Sequence, residues 1–116
     1  MAEPARLDEH ARTVIVSPEH HVLVSAATVW EIAIKRALGR LAFPLERLDE
    51  TMRRMGFEPL PIQPSHAIAA GGLPRHHDDP FDRMLVAQAR LEGLVLVSED
   101  KVIARYGVRV LSGARP

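Results

Sequence analysis

The segment from Asp79 to Asp100 constrains the fold of this chain more than any other part of it. Residues 80–91 are predicted to form a helix of ~18 Å at ~1.5 Å per residue, and residues 94–98 a buried strand of ~16 Å at ~3.3 Å per residue. Because the helix and the strand have similar lengths, the start of the helix and the end of the strand are expected to lie at the same end of the domain. Asp82, in the first turn of the helix, can then face Asp100, just past the strand. Carboxylates gathered in this way usually hold a divalent cation.

Length and composition predict a single globular domain. The 116 residues are 47% hydrophobic and 26% charged, which is the balance of a globular chain and not of a disordered or membrane one. The absence of cysteine excludes disulfides and thiolate metal sites. No apolar run approaches the ~20 residues that span a bilayer, and the first residues lack a signal-peptide core, so we expect a cytoplasmic protein without membrane contact. The net charge of zero does not itself indicate nucleic-acid binding.

Glycine and proline divide the chain into short helices and strands. Helices are predicted over residues 4–15, 26–38, 45–55, 65–70, 80–91 and 101–106. Strands are predicted over residues 22–25, 57–62, 94–98 and 108–111. The second of these strands is placed at an edge, because its two prolines cannot donate ladder hydrogen bonds. Strands alternating with helices predict a layered α/β domain with a mainly parallel sheet, in which ligands bind beyond the carboxyl ends of the strands.

Glu31 adds a third carboxylate near the same end of the predicted sheet, about a turn and a half into the helix that follows residues 22–25. Lys35 lies four residues later, an order that favours a pair on a helix surface. The neighbours of Glu31 are mostly apolar, however, so the carboxylate lies on or beside a covered face. A carboxylate there requires a cation, which either Lys35 or a metal ion could supply.

Each acidic residue also has a purely structural explanation. Asp79 directly precedes Pro80 and is typical of a helix N-cap. Asp82 interacts favourably with the dipole of the helix that it begins. Asp100 suits the N-cap of the short helix that starts at Lys101. A metal site is favoured over these separate structural explanations because the acidic residues converge on one end of a strand.

The run from Arg75 to Asp79 contains two histidines and two aspartates. Adjacent residues cannot all point at one ion, and no His-x-x-x-His spacing accompanies them. The run therefore predicts a polar loop near the mouth of the site. No glycine-rich phosphate loop, nucleophile elbow or histidine-based triad pattern occurs.

Two motifs, with the segments around them, form a pattern that is more specific than either motif alone. The first is Trp-Glu-Ile-Ala-Ile-Lys within residues 24–35, and the second is Asp-Pro-Phe-Asp-Arg within residues 77–89. Residues 39–41, 73–74, 94–100 and 106–108 extend the similarity, which covers about Arg6 to Leu111. With these segments the chain resembles the PIN-domain nucleases, and among them the VapC-type toxins of bacterial toxin–antitoxin pairs.

The resemblance implies that Glu31, Asp82 and Asp100 bind Mg²⁺ or Mn²⁺ and are the catalytic residues. Ser98 stands where the family has a small hydroxyl residue beside the site. The resemblance also implies RNA cleavage by a metal-activated water and an antitoxin protein as partner, and we expect a homodimer. Hard oxygen ligands suit those ions, which can activate water and neutralise charge on a phosphodiester.

Three further residues are candidates for supporting roles. Lys35 and Arg83 could contact a phosphate or pair with the acidic residues of the site. Asp79 could assist the site in addition to capping its helix.

One feature departs from the family pattern. Members open with a strand that carries the first site aspartate, ahead of the helix that corresponds to residues 4–15, and this chain starts after it. Neither Glu3 nor Asp8 replaces that aspartate. We therefore expect residues 1–116 to form one three-layer PIN-like domain, truncated at its N-terminus, whose missing central strand leaves strand edges exposed. Either the true start lies upstream, or the protein is a degraded copy.

Three hypotheses for the function follow. The first is a VapC-type ribonuclease toxin whose activity depends on the missing strand. The second is a non-catalytic remnant that binds an antitoxin or dimerises. The third is an unrelated metal-dependent phosphatase-like protein, for which the sequence has no aspartate nucleophile signature.

Overall fold

The computed structural model describes residues 13–111, which form an α/β fold around one mixed sheet of five strands. The strands are β1 (Val14–Val16), β2 (Val22–Ser25), β3 (Glu58–Leu60), β4 (Val95–Val97) and β5 (Val110–Leu111). Their order is β3-β2-β1-β4-β5, with β2/β3 and β4/β5 parallel and β1 antiparallel to both of its neighbours. The α/β class and the edge position of β3 are confirmed.

The central strand, β1, corrects three expectations. The helix predicted over residues 4–15 lies mostly outside the described residues, and its last two residues belong to Val14–Val16. Three β-branched side chains in succession favour a strand. A tight turn follows, in which the amide of Ser17 donates to the carbonyl of His21 at 2.9 Å and His20 takes a positive φ of 72°. The turn forces β1 and β2 to run antiparallel, so the sheet is mixed instead of mainly parallel, and its central position is filled.

Four helices surround this sheet in the described part of the chain. They are α1 (Ala26–Ala37), α2 (Leu48–Met55), α3 (Pro64–Gly71) and α4 (Pro80–Glu92). Short 3-10 turns occur at Leu45–Arg47 and Ile103–Tyr106. None of these helices has the length and apolar character that crossing a membrane requires.

Helix α4 begins and ends where local signals predict. Asp79 is its N-cap and Pro80 its first residue, a position where the missing amide of proline costs nothing. Gly93 ends it in the left-handed conformation at φ 68°. Because β4 starts two residues later, the first turn of α4 and the carboxyl end of β4 lie at the same end of the domain.

The core lies between α4 and the middle of the sheet. Its buried apolar side chains include Ile15, Leu85, Val86, Leu96 and Ile103. Gln88 is fully buried among them. Its side chain accepts a hydrogen bond from the Ser25 hydroxyl at 2.6 Å and donates to the carbonyl of Pro61 at 3.2 Å. These bonds fix α4 against the carboxyl ends of β2 and β3.

Candidate metal site

Two of the predicted acidic residues, Asp82 and Asp100, meet where α4 begins and β4 ends. His77 Nε2 lies 3.2 Å from Asp82 Oδ2 and 3.0 Å from Asp100 Oδ2. One potential ligand atom from each of these three residues lies within 4.8 Å of those of the other two. The structure therefore brings Asp82 and Asp100 together and adds a histidine between them.

Asp79 caps the first turn of α4 and thereby orients the side chain of Asp82. The side chain of Asp79 accepts hydrogen bonds from the amides of Phe81 at 2.8 Å and Asp82 at 3.2 Å. These amides are among the first in α4 and have no partner within the helix. Asp79 therefore performs the capping role, and the capped first turn holds the buried side chain of Asp82 towards the strand end.

Asp100 is held by the loop that follows β4. Its Oδ1 accepts a hydrogen bond from the amide of Val102 at 2.9 Å, and its own amide donates to Ser98 Oγ at 3.0 Å. Ser98 Oγ also lies 3.0 Å from the buried hydroxyl of Thr13, just before β1. One carboxylate oxygen of Asp100 thus serves the loop and the other faces His77. The contact of Ser98 with Asp100 is to its backbone amide, so Ser98 holds the loop that carries the Asp100 carboxylate.

Glu31 lies outside the group of three. Its Oε2 is 3.6 Å from Lys35 Nζ, and both side chains are largely buried. Burial raises the pKa of Glu31 above its usual value; Lys35 partly offsets this, and the charge of Asp79 raises the pKa further. The effect of Asp79 on this pKa indicates that Glu31 shares the electrostatic environment of the α4 N-terminus. Lys35 is the cation that partners Glu31 in this structure.

Replacing Glu31 by glutamine is expected to stabilise the metal-free protein at pH 7. The unfolded chain ionises this carboxyl near pH 4.5, whereas the folded protein does so only at higher pH. Stability is therefore lost as pH rises above 4.5, and the loss persists at neutral pH. Thermal unfolding followed by circular dichroism should show a gain in Tm that grows from pH 4 to pH 7. Glu50→Gln, at an exposed position of α2, is the control, and a lower Tm for Glu31→Gln at pH 7 would contradict the argument.

The guanidinium group of Arg83 forms hydrogen bonds with backbone carbonyls. It donates to the carbonyls of Ala70 and Leu73 at 3.0 Å each, Pro74 at 3.0 Å and His77 at 3.2 Å. The side chain thus ties the last turn of α3 and the loop that follows it to the first turn of α4. In this arrangement Arg83 shapes the loop beside the site through these carbonyls.

His77 is the member of the site that the sequence interpretation placed only in a polar loop. The available signal is its position two residues before the N-cap of the helix that carries Asp82. Thr13, which contacts Ser98, was also missed, because it was assigned to a helix. Both residues reach the site through contacts with distant segments.

A family model for the PIN domain matches residues 3–109. The chain belongs to the PIN domain family. Ribonuclease VapC16 of Mycobacterium tuberculosis is 36% identical to this PIN domain over 58 residues, which are 47% of this chain and 41% of that protein. The match therefore spans less than half the length of this relative. No solved structure matches the chain.

PIN domains are typically nucleases that use divalent metals, and the donors of this PIN domain suit such an ion. Two carboxylates within 4.8 Å of each other repel by on the order of 3–4 kcal/mol at an effective dielectric constant of ~20. A divalent cation would replace that repulsion with attraction to both groups. The carboxylate oxygens of Asp82 and Asp100 are the hard ligands that Mg²⁺ and Mn²⁺ prefer.

Proposed function

We propose that this PIN domain is a metal-dependent endoribonuclease of the VapC type, which hydrolyses RNA phosphodiester bonds and is inhibited by an antitoxin protein. The observation that carries the proposal is the approach of Asp82 and Asp100 where α4 begins and β4 ends, in a chain of the PIN family. The partial similarity to ribonuclease VapC16 supports the choice of RNA as substrate.

In this proposal Asp82, Asp100 and Glu31 hold Mg²⁺ or Mn²⁺. The ion supplies an activated water and neutralises charge that develops on the phosphodiester. Asp82 is supplied by the capped turn of α4, and Asp100 by the loop that Ser98 holds. Lys35, beside Glu31, places a fixed positive charge near the site that favours an anionic substrate.

The test is cleavage of RNA by the purified protein with Mg²⁺ or Mn²⁺ and with a chelator. We expect cleavage that the chelator stops. Asp100→Asn should reduce the rate at least ~100-fold, because metal stabilisation of the transition state is worth several kcal/mol. Asp78→Asn is the matched control, since Asp78 is exposed and pairs at 3.8 Å with the equally exposed Arg75. Chelator-resistant cleavage, or equal activity of the two variants, would reject the proposal.

A second candidate function is that of a non-catalytic protein, which binds an antitoxin or dimerises and does not cleave RNA. Central strand β1 presents no carboxylate in Val14–Val16, and the residue at its site end, Thr13, offers a hydroxyl that is already bonded to Ser98. A site that lacks an acid from the central strand has a smaller charge with which to hold a cation. The result that would select this candidate is binding of the product of a neighbouring small gene with no RNA cleavage at any Mg²⁺ concentration.

The partner in either case is proposed to be a small antitoxin, with a homodimer as the form of the free protein. Within residues 13–111, six large apolar side chains are exposed, namely Trp30, Leu38, Met55, Ile68, Leu91 and Leu111. Trp30 is 62% exposed and packs edge-on against Phe81, next to Asp82 in the sequence. An antitoxin that covered Trp30 would therefore also lie close to the site. Binding of the product of a neighbouring small gene, measured together with the cleavage assay, distinguishes inhibition from simple association.

A further inference from the structure

The two ring nitrogens of His77 have different partners. Nε2 faces Asp82 Oδ2 and Asp100 Oδ2, at 3.2 and 3.0 Å. Nδ1 accepts a hydrogen bond from the backbone amide of Asp79 at 3.2 Å. A neutral imidazole carries a single ring proton, so the accepting Nδ1 leaves that proton on Nε2. Nε2 is therefore a donor to the two carboxylates.

A metal-binding histidine requires the opposite arrangement. Its ligating nitrogen is unprotonated, and its other nitrogen donates to a carboxylate, a carbonyl or water. For Nε2 of His77 to bind an ion, the proton would have to move to Nδ1, where it would face the amide hydrogen of Asp79. The backbone at the start of α4 thus opposes ligation by His77.

We propose that His77 is a positioning residue, which draws Asp82 and Asp100 together by donating its Nε2–H to both, and that the ion of this site is held by oxygen ligands without His77. This inference rests on the proposed function only in that the same carboxylates hold the ion. It specifies which residues touch the metal, and therefore which metals the site accepts.

The position of His77 is fixed from the backbone side as well. Its carbonyl accepts hydrogen bonds from Arg83 Nη1 at 3.2 Å and from the Tyr106 hydroxyl at 3.4 Å. The ring cannot turn without breaking the bond to Asp79, and the residue cannot withdraw without breaking those to Arg83 and Tyr106. The donor is in place before an ion arrives, which is the arrangement that a preorganised site requires.

The experiment measures metal binding without RNA. Binding of Mg²⁺ and Mn²⁺ is determined by calorimetry for the wild-type protein, His77→Ala and His77→Gln, because the amide nitrogen of glutamine can replace Nε2–H as a donor. Removal of an outer hydrogen-bond partner typically weakens metal binding ~10- to 100-fold. We expect a loss of at least ~10-fold in His77→Ala, equal for the two ions, and binding within ~3-fold of wild type in His77→Gln. His21→Gln is the control, because His21 is exposed and its Nδ1 lies 3.3 Å from Oε2 of the equally exposed Glu58.

A second measurement needs only the wild-type protein. Electron spin-echo spectra of bound Mn²⁺ should lack the strong nitrogen modulation of a directly coordinated imidazole. The inference would be overturned by such a nitrogen signal, or by the absence of Mn²⁺ binding to the wild-type protein. It would also be overturned if His77→Gln bound the ions as weakly as His77→Ala, or if His77→Ala lost more affinity for Mn²⁺ than for Mg²⁺. Failure of RNA cleavage alone would reject the proposed function and leave the role of His77 standing, so the two outcomes are separable.

Discussion

Replacing Asp82 by asparagine is expected to abolish both RNA cleavage and the stabilisation of the protein by Mg²⁺. The carboxylate of Asp82 is buried, and one of its oxygens lies within 4.8 Å of a carboxylate oxygen of Asp100, so a cation bound there would contact both groups. Asparagine keeps the size of the side chain and removes the charge. The rate should fall at least ~100-fold, since several kcal/mol of transition-state stabilisation depend on the ion.

The measurements for Asp82→Asn are cleavage rates and thermal unfolding with and without Mg²⁺. An ion that binds only the folded state raises the Tm by mass action, and this rise should disappear in the variant. Asp49→Asn is the matched control, because Asp49 is also in the first turn of a helix but is exposed on α2. If both variants kept the Mg²⁺-dependent rise, Asp82 would not be part of the metal site.

Replacing Arg83 by alanine is expected to destabilise the fold by about 2–3 kcal/mol, because hydrogen bonds from a charged donor contribute ~1.5–3 kcal/mol each and the side chain is partly exposed. Four carbonyls from α3 and the following loop lose their donor. Lysine should restore only part of the loss, since one ammonium group cannot reproduce the planar fork of a guanidinium.

Chemical denaturation gives the free energy of unfolding of each Arg83 variant. Arg90→Ala is the control, two helical turns along α4 and exposed. A loss within ~0.5 kcal/mol of that control, the usual range for a surface substitution, would mean that the carbonyl contacts do not hold the loop. Arg83→Ala should also loosen His77, whose carbonyl is one of the four.

The correct part of the sequence interpretation consisted of elements with strong local signals. Helix α4 and strand β4 lie within two residues of their predicted bounds, because the Asp79-Pro80 start and the Gly93 end are set by the conformational limits of those residues. The boundary predicted between strand 22–25 and helix 26–38 is also correct: Ser25 ends β2, and its hydroxyl caps α1 by accepting from the amide of Ala27 at 2.9 Å. The metal-ligand assignment of Glu31, Asp82 and Asp100 stays a prediction.

The errors arose where the partner of a segment is distant in the chain. Val14 and Ile15 were assigned to the end of a helix because they continue a helical spacing of apolar residues that begins at Leu7. The strand conformation of Val14–Val16 is completed by pairing with Val95–Val97. The family comparison led to the expectation of an empty central position. In the structure an antiparallel strand supplies the hydrogen bonds that its neighbours require.

The amino-acid sequence alone determined the α4–β4 unit and the delivery of two aspartates to one end of it, because caps, breakers and periodicity act between residues close in the chain. Only the tertiary structure decided that β1 fills the centre of the sheet and that His77 stands between Asp82 and Asp100. The Thr13–Ser98 contact joins residues 85 apart, and the His77–Asp100 contact joins residues 23 apart. Such contacts depend on how whole elements pack together, which local spacing does not encode.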